Sequence, residues 1–154
     1  MLAAKVVTVS DGVAEGVRED RSGAAMAERL AGAGFEVVDR SVTADGVEEV
    51  AGVLRRVTAG FTGLVVTTGG TGFGPRDLTP EGTRAVIERE APGLAEAMRL
   101  ASPLGRLSRA VAGTVGQSLV LNVPGSTRGS VECLEAVLDV VPHALDLLAG
   151  GRPH

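Results

Sequence analysis

An α/β fold, in three layers around a mostly parallel sheet, is predicted for this chain of 154 residues by three features of its sequence. Short β-branched apolar runs alternate with helical periodicities, the runs end in glycine-bearing turns, and one of them, GLVVTTGG (Gly63 to Gly70), opens on consecutive apolar residues, as a strand covered on both faces does. No internal repeat, low-complexity tract or linker interrupts the alternation, so residues 1–154 read as a single domain.

The elements follow in order. KVVTVS (Lys5 to Ser10) is a buried strand stopped by Asp11-Gly12, and a long polar loop follows. Ser22 reads as the N-cap of a helix with Met26, Leu30 and Ala33 on one face and Gly34 as its stop. FEVVDRSV (Phe35 to Val42) is a second strand. Asp45, with Glu48 three residues on, can form a capping box for a helix carrying Val47, Val50, Val53, Leu54 and Val57. After the Gly63 strand, Thr79-Pro80 supplies a cap and an N1 proline for a helix through Ile87, and Pro92 starts another through about Leu100. SLVLNVPG (Ser118 to Gly125) is a further strand and turn. The last helix starts at Ser130 and repeats Val131, Leu134, Val137, Leu138, Val141, Leu145 and Leu148, with Pro142 kinking or restarting it. Loops gathered at the strand C-termini are where such folds place their ligands.

Composition narrows the chemistry. The net charge of −4, no Trp or Tyr and only three Phe leave neither a basic field nor an aromatic platform for nucleic acid. Fifteen residues are basic and all but Lys5 are Arg, the side chain suited to bidentate phosphate contacts. A single cysteine, Cys133, rules out an internal disulfide and points to a reducing cytoplasm. The first residues carry Lys5 inside too short an apolar run for a signal peptide, and no stretch approaches a membrane span. A phosphate loop of the Gly-Lys-Ser/Thr kind is excluded because the sole lysine opens the first strand; the GxGxxG and GxSxG patterns are absent too. Cys133 and His143 stand ten residues apart, about 15 Å along an unbroken helix, too far for a nucleophile pair. Both are read as packing or surface residues, and His154 is the terminal residue.

What remains is the segment TTGGTGFGPRDLTPEGT (Thr67 to Thr83). Glycines at 69, 70, 72 and 74 let the backbone approach a ligand closely, and exposed amides and hydroxyls offer donors to an anion or a polar heterocycle. Arg76 can add positive charge, Asp77 can hold a divalent cation that neutralises phosphates, and the helix after Thr79 adds a positive N-terminal dipole. These are parts of a phosphoryl or nucleotidyl transfer site. On the residues alone, Asp77 is equally an anchor that hydrogen-bonds its own loop, and Asp45 is explained as a cap. NVPGST (Asn122 to Thr127) is a second strand-to-helix loop able to bind an anion.

Three segments, TVSDGVAEGVREDRSG (Thr8 to Gly23), the glycine-rich segment and LSRAVAGTVGQSLVLNVPGS (Leu107 to Ser126), together resemble the MogA/MoaB-type molybdopterin adenylyltransferases. The resemblance extends in order over nearly the whole chain, through REAPGLAEAMR (Arg89 to Arg99) and VECLEA (Val131 to Ala136). It implies that the terminal phosphate of molybdopterin attacks the α-phosphate of Mg-ATP, giving adenylyl-molybdopterin and pyrophosphate. It places the two functional aspartates, which hold Mg2+ and position phosphates, at Asp45 and Asp77. It places Thr68, Gly69, Gly70, Thr71, Gly72, Arg76, Ser108, Asn122, Pro124, Gly125 and Ser126 around the pterin and nucleotide, with Ser10 and Asp11 bordering the same cleft. A homotrimer and a molybdenum-insertion enzyme as partner are implied as well. The family also holds pterin-binding paralogues or scaffolds that adenylylate nothing; the presence of both aspartates argues against that alternative. Two positions depart from the family pattern: PGST is followed by Arg128, and TADG (Thr43 to Gly46) lacks the proline that often precedes the aspartate.

Overall fold

The computed structural model describes residues 1–151, so His154 lies outside the described residues. Six strands form one sheet: β1 (Leu2–Val9), β2 (Phe35–Thr43), β3 (Gly63–Thr68), β4 (Arg89–Glu90), β5 (Ala112–Val115) and β6 (Ser118–Val123), in the order β2-β1-β3-β6-β5-β4. The pairs β2/β1, β1/β3 and β3/β6 are parallel, and β5 alone runs against the rest. The helices are α1 (Asp11–Ala14), α2 (Arg21–Gly32), α3 (Val47–Thr58), α4 (Thr79–Arg84), α5 (Pro92–Arg99), α6 (Thr127–Glu135) and α7 (Val141–Leu148), with a 3-10 turn at Pro103–Leu107.

The period-two geometry of a strand divides the apolar residues between two cores. Leu64 and Val66 of β3, with Leu119, Leu121 and Val123 of β6, face Met26 and Leu30 of α2, Met98 of α5, Leu134 of α6 and Leu145 of α7. Val65 and Val120 point the other way, against Val50, Val53, Leu54 and Val57 of α3. Both faces are therefore covered, which is why β3 reads as a continuous apolar run and is buried at all six positions. The chain leaves β1 through α2 toward β2, then returns through α3 on the opposite face to β3. Connections thus diverge on either side of the β1/β3 pair, and a crevice opens at the C-terminal ends of these strands. β1 begins at Leu2, earlier than the expected Lys5, so Lys5 lies in mid-strand, away from the crevice, where its Nζ donates to the Val57 carbonyl at 2.9 Å and lies 4.2 Å over the Phe61 ring.

Several local expectations are corrected. The α2 cap is Asp20, whose carboxylate accepts from the Gly23 amide; Ser22 lies inside the helix and is buried. Asp45 does not cap α3, whose cap residue is Gly46 with no side-chain hydrogen bond, because the Asp45 carboxylate is taken by a neighbouring loop. Thr79 is the first residue of α4, and its hydroxyl donates back to the Gly69 carbonyl at 2.8 Å; the helix ends at Arg84 so that Val86 and Ile87 can pack with α3. The last helix starts at Thr127, capped by Ser126, and restarts at Val141 with Pro142 in its first turn. The polar loop after β1 contains the single turn α1, and the short strands β4 and β5 carry too little apolar pattern to be read beforehand.

Candidate active site

Four strand ends converge on the crevice, and their loops are tied to one another by backbone bonds. The Ser10 amide donates to Thr43, the Gly69 amide to Val123, and the Thr68 hydroxyl to the Pro124 carbonyl at 2.8 Å. Gly69 and Gly70 have φ of 111° and 68°. A β-carbon on Gly69 would stand 2.1 Å from the Val9 carbonyl oxygen, so the loop passes closer to β1 than any other residue permits.

Asp45 is held by reciprocity with Asp11. The Asp11 amide donates to Asp45 Oδ2 at 3.0 Å, and the Asp45 amide donates to Asp11 Oδ1 at 3.0 Å. Arg76 closes the arrangement with Nε 2.5 Å and Nη2 3.1 Å from the Asp11 carboxylate and Nη2 2.9 Å from the Asp45 carbonyl oxygen. Its guanidinium, expected at the substrate phosphates, is thus committed to the Asp11 and Asp45 loops. The two carboxylates titrate in opposite directions. Burial raises Asp45 above the ordinary carboxylate value, aided by the negative charges of Asp11 and Asp77 against the hydrogen bond from the Asp11 amide. The hydrogen bond from Arg76 lowers Asp11. Asp77 is anchored to its own loop through the Gly74 amide, 2.9 Å from Oδ2, which is one of the two roles its residue type allows; it also faces the crevice.

The crevice has two lobes. One, of about 560 Å³, holds Ser10, Asp45, Thr68 and Gly69 of the expected residues, and is walled further by Arg18 and Asp20. The other, of about 730 Å³, holds Thr71, Gly72, Ser108 and Pro124, and is walled by Leu104, Leu107 and Cys133. Gly70, Asp77, Gly125 and Ser126 border both. Asp11 and Arg76 stand behind Asp45 and line neither lobe. Asn122 is corrected outright: it is fully buried, its Oδ1 accepts from the Val111 amide, and its Nδ2 donates to the hydroxyls of Thr67 and Thr83. Every polar atom of that side chain is used to stitch β6 to its neighbours, and none is left for a ligand.

Sequence reasoning missed Asp20 and the apolar wall of the second lobe. Asp20 accepts from the Thr8 hydroxyl at 2.8 Å, the Gly23 amide at 3.0 Å and Arg40 at 3.1 Å, which draws the start of α2 to the end of β1. An aspartate directly before the helical stretch, with Gly23 three residues on to donate its amide, was the available signal. The 3-10 turn carrying Leu104 and Leu107 gave none. Cys133 packs against α5, with Sγ 3.4 Å from the Met98 carbonyl oxygen, and burial pushes its thiol up to about 11, so it is no thiolate nucleophile at neutral pH.

Among the described residues no group of three or more His, Cys, Asp or Glu side chains is placed to hold a metal. Asp45 and Asp77 line one lobe together and interact electrostatically. Two carboxylates suit a Mg2+ ion that takes its remaining ligands from water and substrate phosphates, so the residues fit an ion that arrives with its substrate.

A mostly parallel sheet with a two-lobed crevice at its carboxyl ends, two acidic residues inside and a glycine-rich loop across the middle defines an α/β protein with an acidic crevice at its switch point. The family model described as "Probable molybdopterin binding domain" matches residues 5–143. The molybdopterin adenylyltransferase of Helicobacter pylori strain J99 is 38% identical over 152 residues, covering 94% of this chain and 86% of its own. That of Escherichia coli K12 is 35% identical over 164 residues, covering 94% and 84%. The crystal structure of the molybdopterin biosynthesis enzyme MoaB from Thermus thermophilus is 47% identical, with a TM-score of 0.91, and the match covers 97% of this chain and 98% of that one. The chain belongs to the molybdopterin adenylyltransferase family.

Proposed function

We propose that this chain, acting as one domain over residues 1–154, adenylylates molybdopterin in molybdenum cofactor biosynthesis. A terminal phosphate oxygen of molybdopterin forms a bond to the α-phosphorus of Mg-ATP, the bond from that phosphorus to the β-phosphate bridge breaks, and pyrophosphate leaves. The observation that carries the reading is the shared wall: Asp77 and the Gly70 and Gly125 turns border both lobes, so groups bound in separate lobes meet there. One lobe takes the pterin, the other the nucleotide.

The work of the chain is alignment and charge compensation. Asp45 and Asp77 hold Mg2+, which supplies the positive charge that neutralises the reacting phosphates. The N-terminus of α6, at Ser126 and Thr127, turns its positive dipole end toward the first lobe. The enzyme acts in the cytoplasm as a homotrimer and passes its product to a molybdenum-insertion enzyme; closed association of this kind would cover exposed apolar side chains outside the crevice, such as Leu100. Light scattering tests the trimer against a protomer of 15.6 kDa.

The direct test mixes the protein with molybdopterin and Mg-ATP and follows adenylyl-molybdopterin and pyrophosphate. Both form, and both fall to background when EDTA removes the metal. Pterin binding without pyrophosphate release would make the chain a non-catalytic paralogue.

A further inference from the structure

The glycine-rich loop presents a physical difficulty that its own residues do not solve. Gly70, Gly72 and Gly74 leave the main chain before Asp77 with more conformational freedom than any other residues would. A carboxylate that aligns phosphates must nonetheless be held within about half an ångström. The Gly74 amide fixes one carboxylate oxygen of Asp77 but belongs to the same loop, and moves with it.

Restraint comes from a segment far away in sequence. Arg109 lies between the 3-10 turn and β5, and its own amide donates to the Thr71 carbonyl at 2.9 Å. Its half-buried guanidinium then reaches under the loop. Nε donates to the Gly72 carbonyl at 2.8 Å, Nη2 to the Asp77 carbonyl at 2.5 Å, and Nη1 to Glu81 Oε2 at 2.6 Å. The loop is therefore gripped at three carbonyls, those of Thr71, Gly72 and Asp77, by one residue, while Glu81 of α4 holds the guanidinium in place. The hydrogen bond from Arg109 in turn holds the Glu81 carboxyl below its ordinary value. Only a planar fork with donors on several edges makes these bonds together, which a lysine ammonium cannot do from one position.

We infer that Arg109 is a positioning residue for the reaction: it acts through Asp77, holding the glycine-rich loop in the conformation that aligns the reacting phosphates. This rests on the adenylyltransferase reading given above. Arg109 lines neither lobe. Its effect is on the geometry of Asp77, and it belongs to kcat more than to KM.

The test compares Arg109→Met, which keeps the aliphatic stem, and Arg109→Lys, which keeps the charge, with the wild type and with Asp77→Asn. Arg109→Met lowers kcat about 10²-fold while KM for ATP and for molybdopterin stays within about threefold. Arg109→Lys recovers little of the loss. In the Asp77→Asn background, Arg109→Met produces no further fall, because the residue it positions no longer functions. Amide hydrogen exchange across Gly70 to Leu78 speeds up at least about tenfold in Arg109→Met, while β1, β3 and β6 remain protected as in the wild type. A loss that multiplies with that of Asp77→Asn, or an unchanged rate of loop exchange, overturns the inference. If Arg109→Met does not fold, the same comparisons are made with Arg109→Lys. If the wild type itself forms no adenylyl-molybdopterin, the proposed function fails, and loop exchange still decides whether Arg109 restrains Asp77.

Discussion

The two lobes of the crevice share a wall and little else. The first is built from the ends of β1, β2 and β3 and the start of α2, and offers hydroxyls, carboxylates and Arg18. The second is built from the 3-10 turn and the first turns of α6, and offers Leu104, Leu107, Pro103 and the buried Cys133 beside the same glycine loop. Neither alone accounts for a transfer between two polyanionic molecules. The difference teaches that selectivity for each ligand can reside in its own lobe, while groups bound in the two lobes can meet only at the residues common to both. Asp77 is the acidic residue among them; Asp45 faces the first lobe only.

The largest effect should therefore come from the shared wall. Asp77→Asn reduces adenylylation by about 10²-fold or more, with pterin binding largely kept, as measured by steady-state turnover and by titration with molybdopterin. Asp45→Asn reduces turnover less. Equal turnover in wild type and Asp77→Asn would break the idea that the lobes meet at this residue.

An intermediate effect is expected from one lobe alone. Leu104 is 74% exposed on the wall of the second lobe, and Leu104→Ala removes apolar surface there without touching a core. KM for one substrate rises about tenfold and KM for the other stays within about twofold, which also identifies the occupant of that lobe. A parallel rise for both would mean that the lobes do not sort the ligands.

The smallest effect concerns stability. The folded-state value of Asp45 is raised, so its protonated form is favoured by folding; that contribution is present below the ordinary carboxylate range and is lost as pH rises through the raised value. At neutral pH the ionised group is a burden on the fold. Asp45→Asn keeps an oxygen for the Asp11 amide, so it melts at or slightly above the wild type at pH 7, by about 1 to 2 °C because Asp45 remains partly solvated. The difference closes as the pH is lowered. Thermal melts between pH 4 and pH 8 check this, and a marked drop in the neutral melting temperature would mean that the carboxylate is held for folding.

The parallel core was legible because its signals are local. Val65 and Val66 sit between two helical layers, so their run is apolar without alternation, and α3 repeats valine and leucine at helical spacing. The glycine-rich loop announced itself by density. Roles that depend on a remote partner were not legible. Asp45 and Glu48 have capping-box spacing, yet the Asp45 carboxylate finds a better donor in the Asp11 amide, thirty-four residues away in sequence. Asn122 lies in a family motif beside true cleft residues, but β6 turns it into the interior, where three hydrogen bonds hold it. Strand alternation makes neighbouring residues face opposite sides, so membership of a motif does not establish access to a ligand.

The sequence by itself determined the class of fold and the position of the glycine-rich loop at a strand C-terminus, because hydrophobic period and turn chemistry are written over a few consecutive residues, whereas Asp45 and Asp77 were singled out as a pair only by the family resemblance. Only the tertiary structure decided which polar groups face the crevice and which are consumed in building it. Arg76 and Arg109 carry charge that any phosphate could use, and in the folded chain each is engaged by other loops through bonds spanning from 28 to 65 residues. Such pairings form only when the folded sheet brings the loops at its carboxyl end together, and no local rule over the sequence contains them.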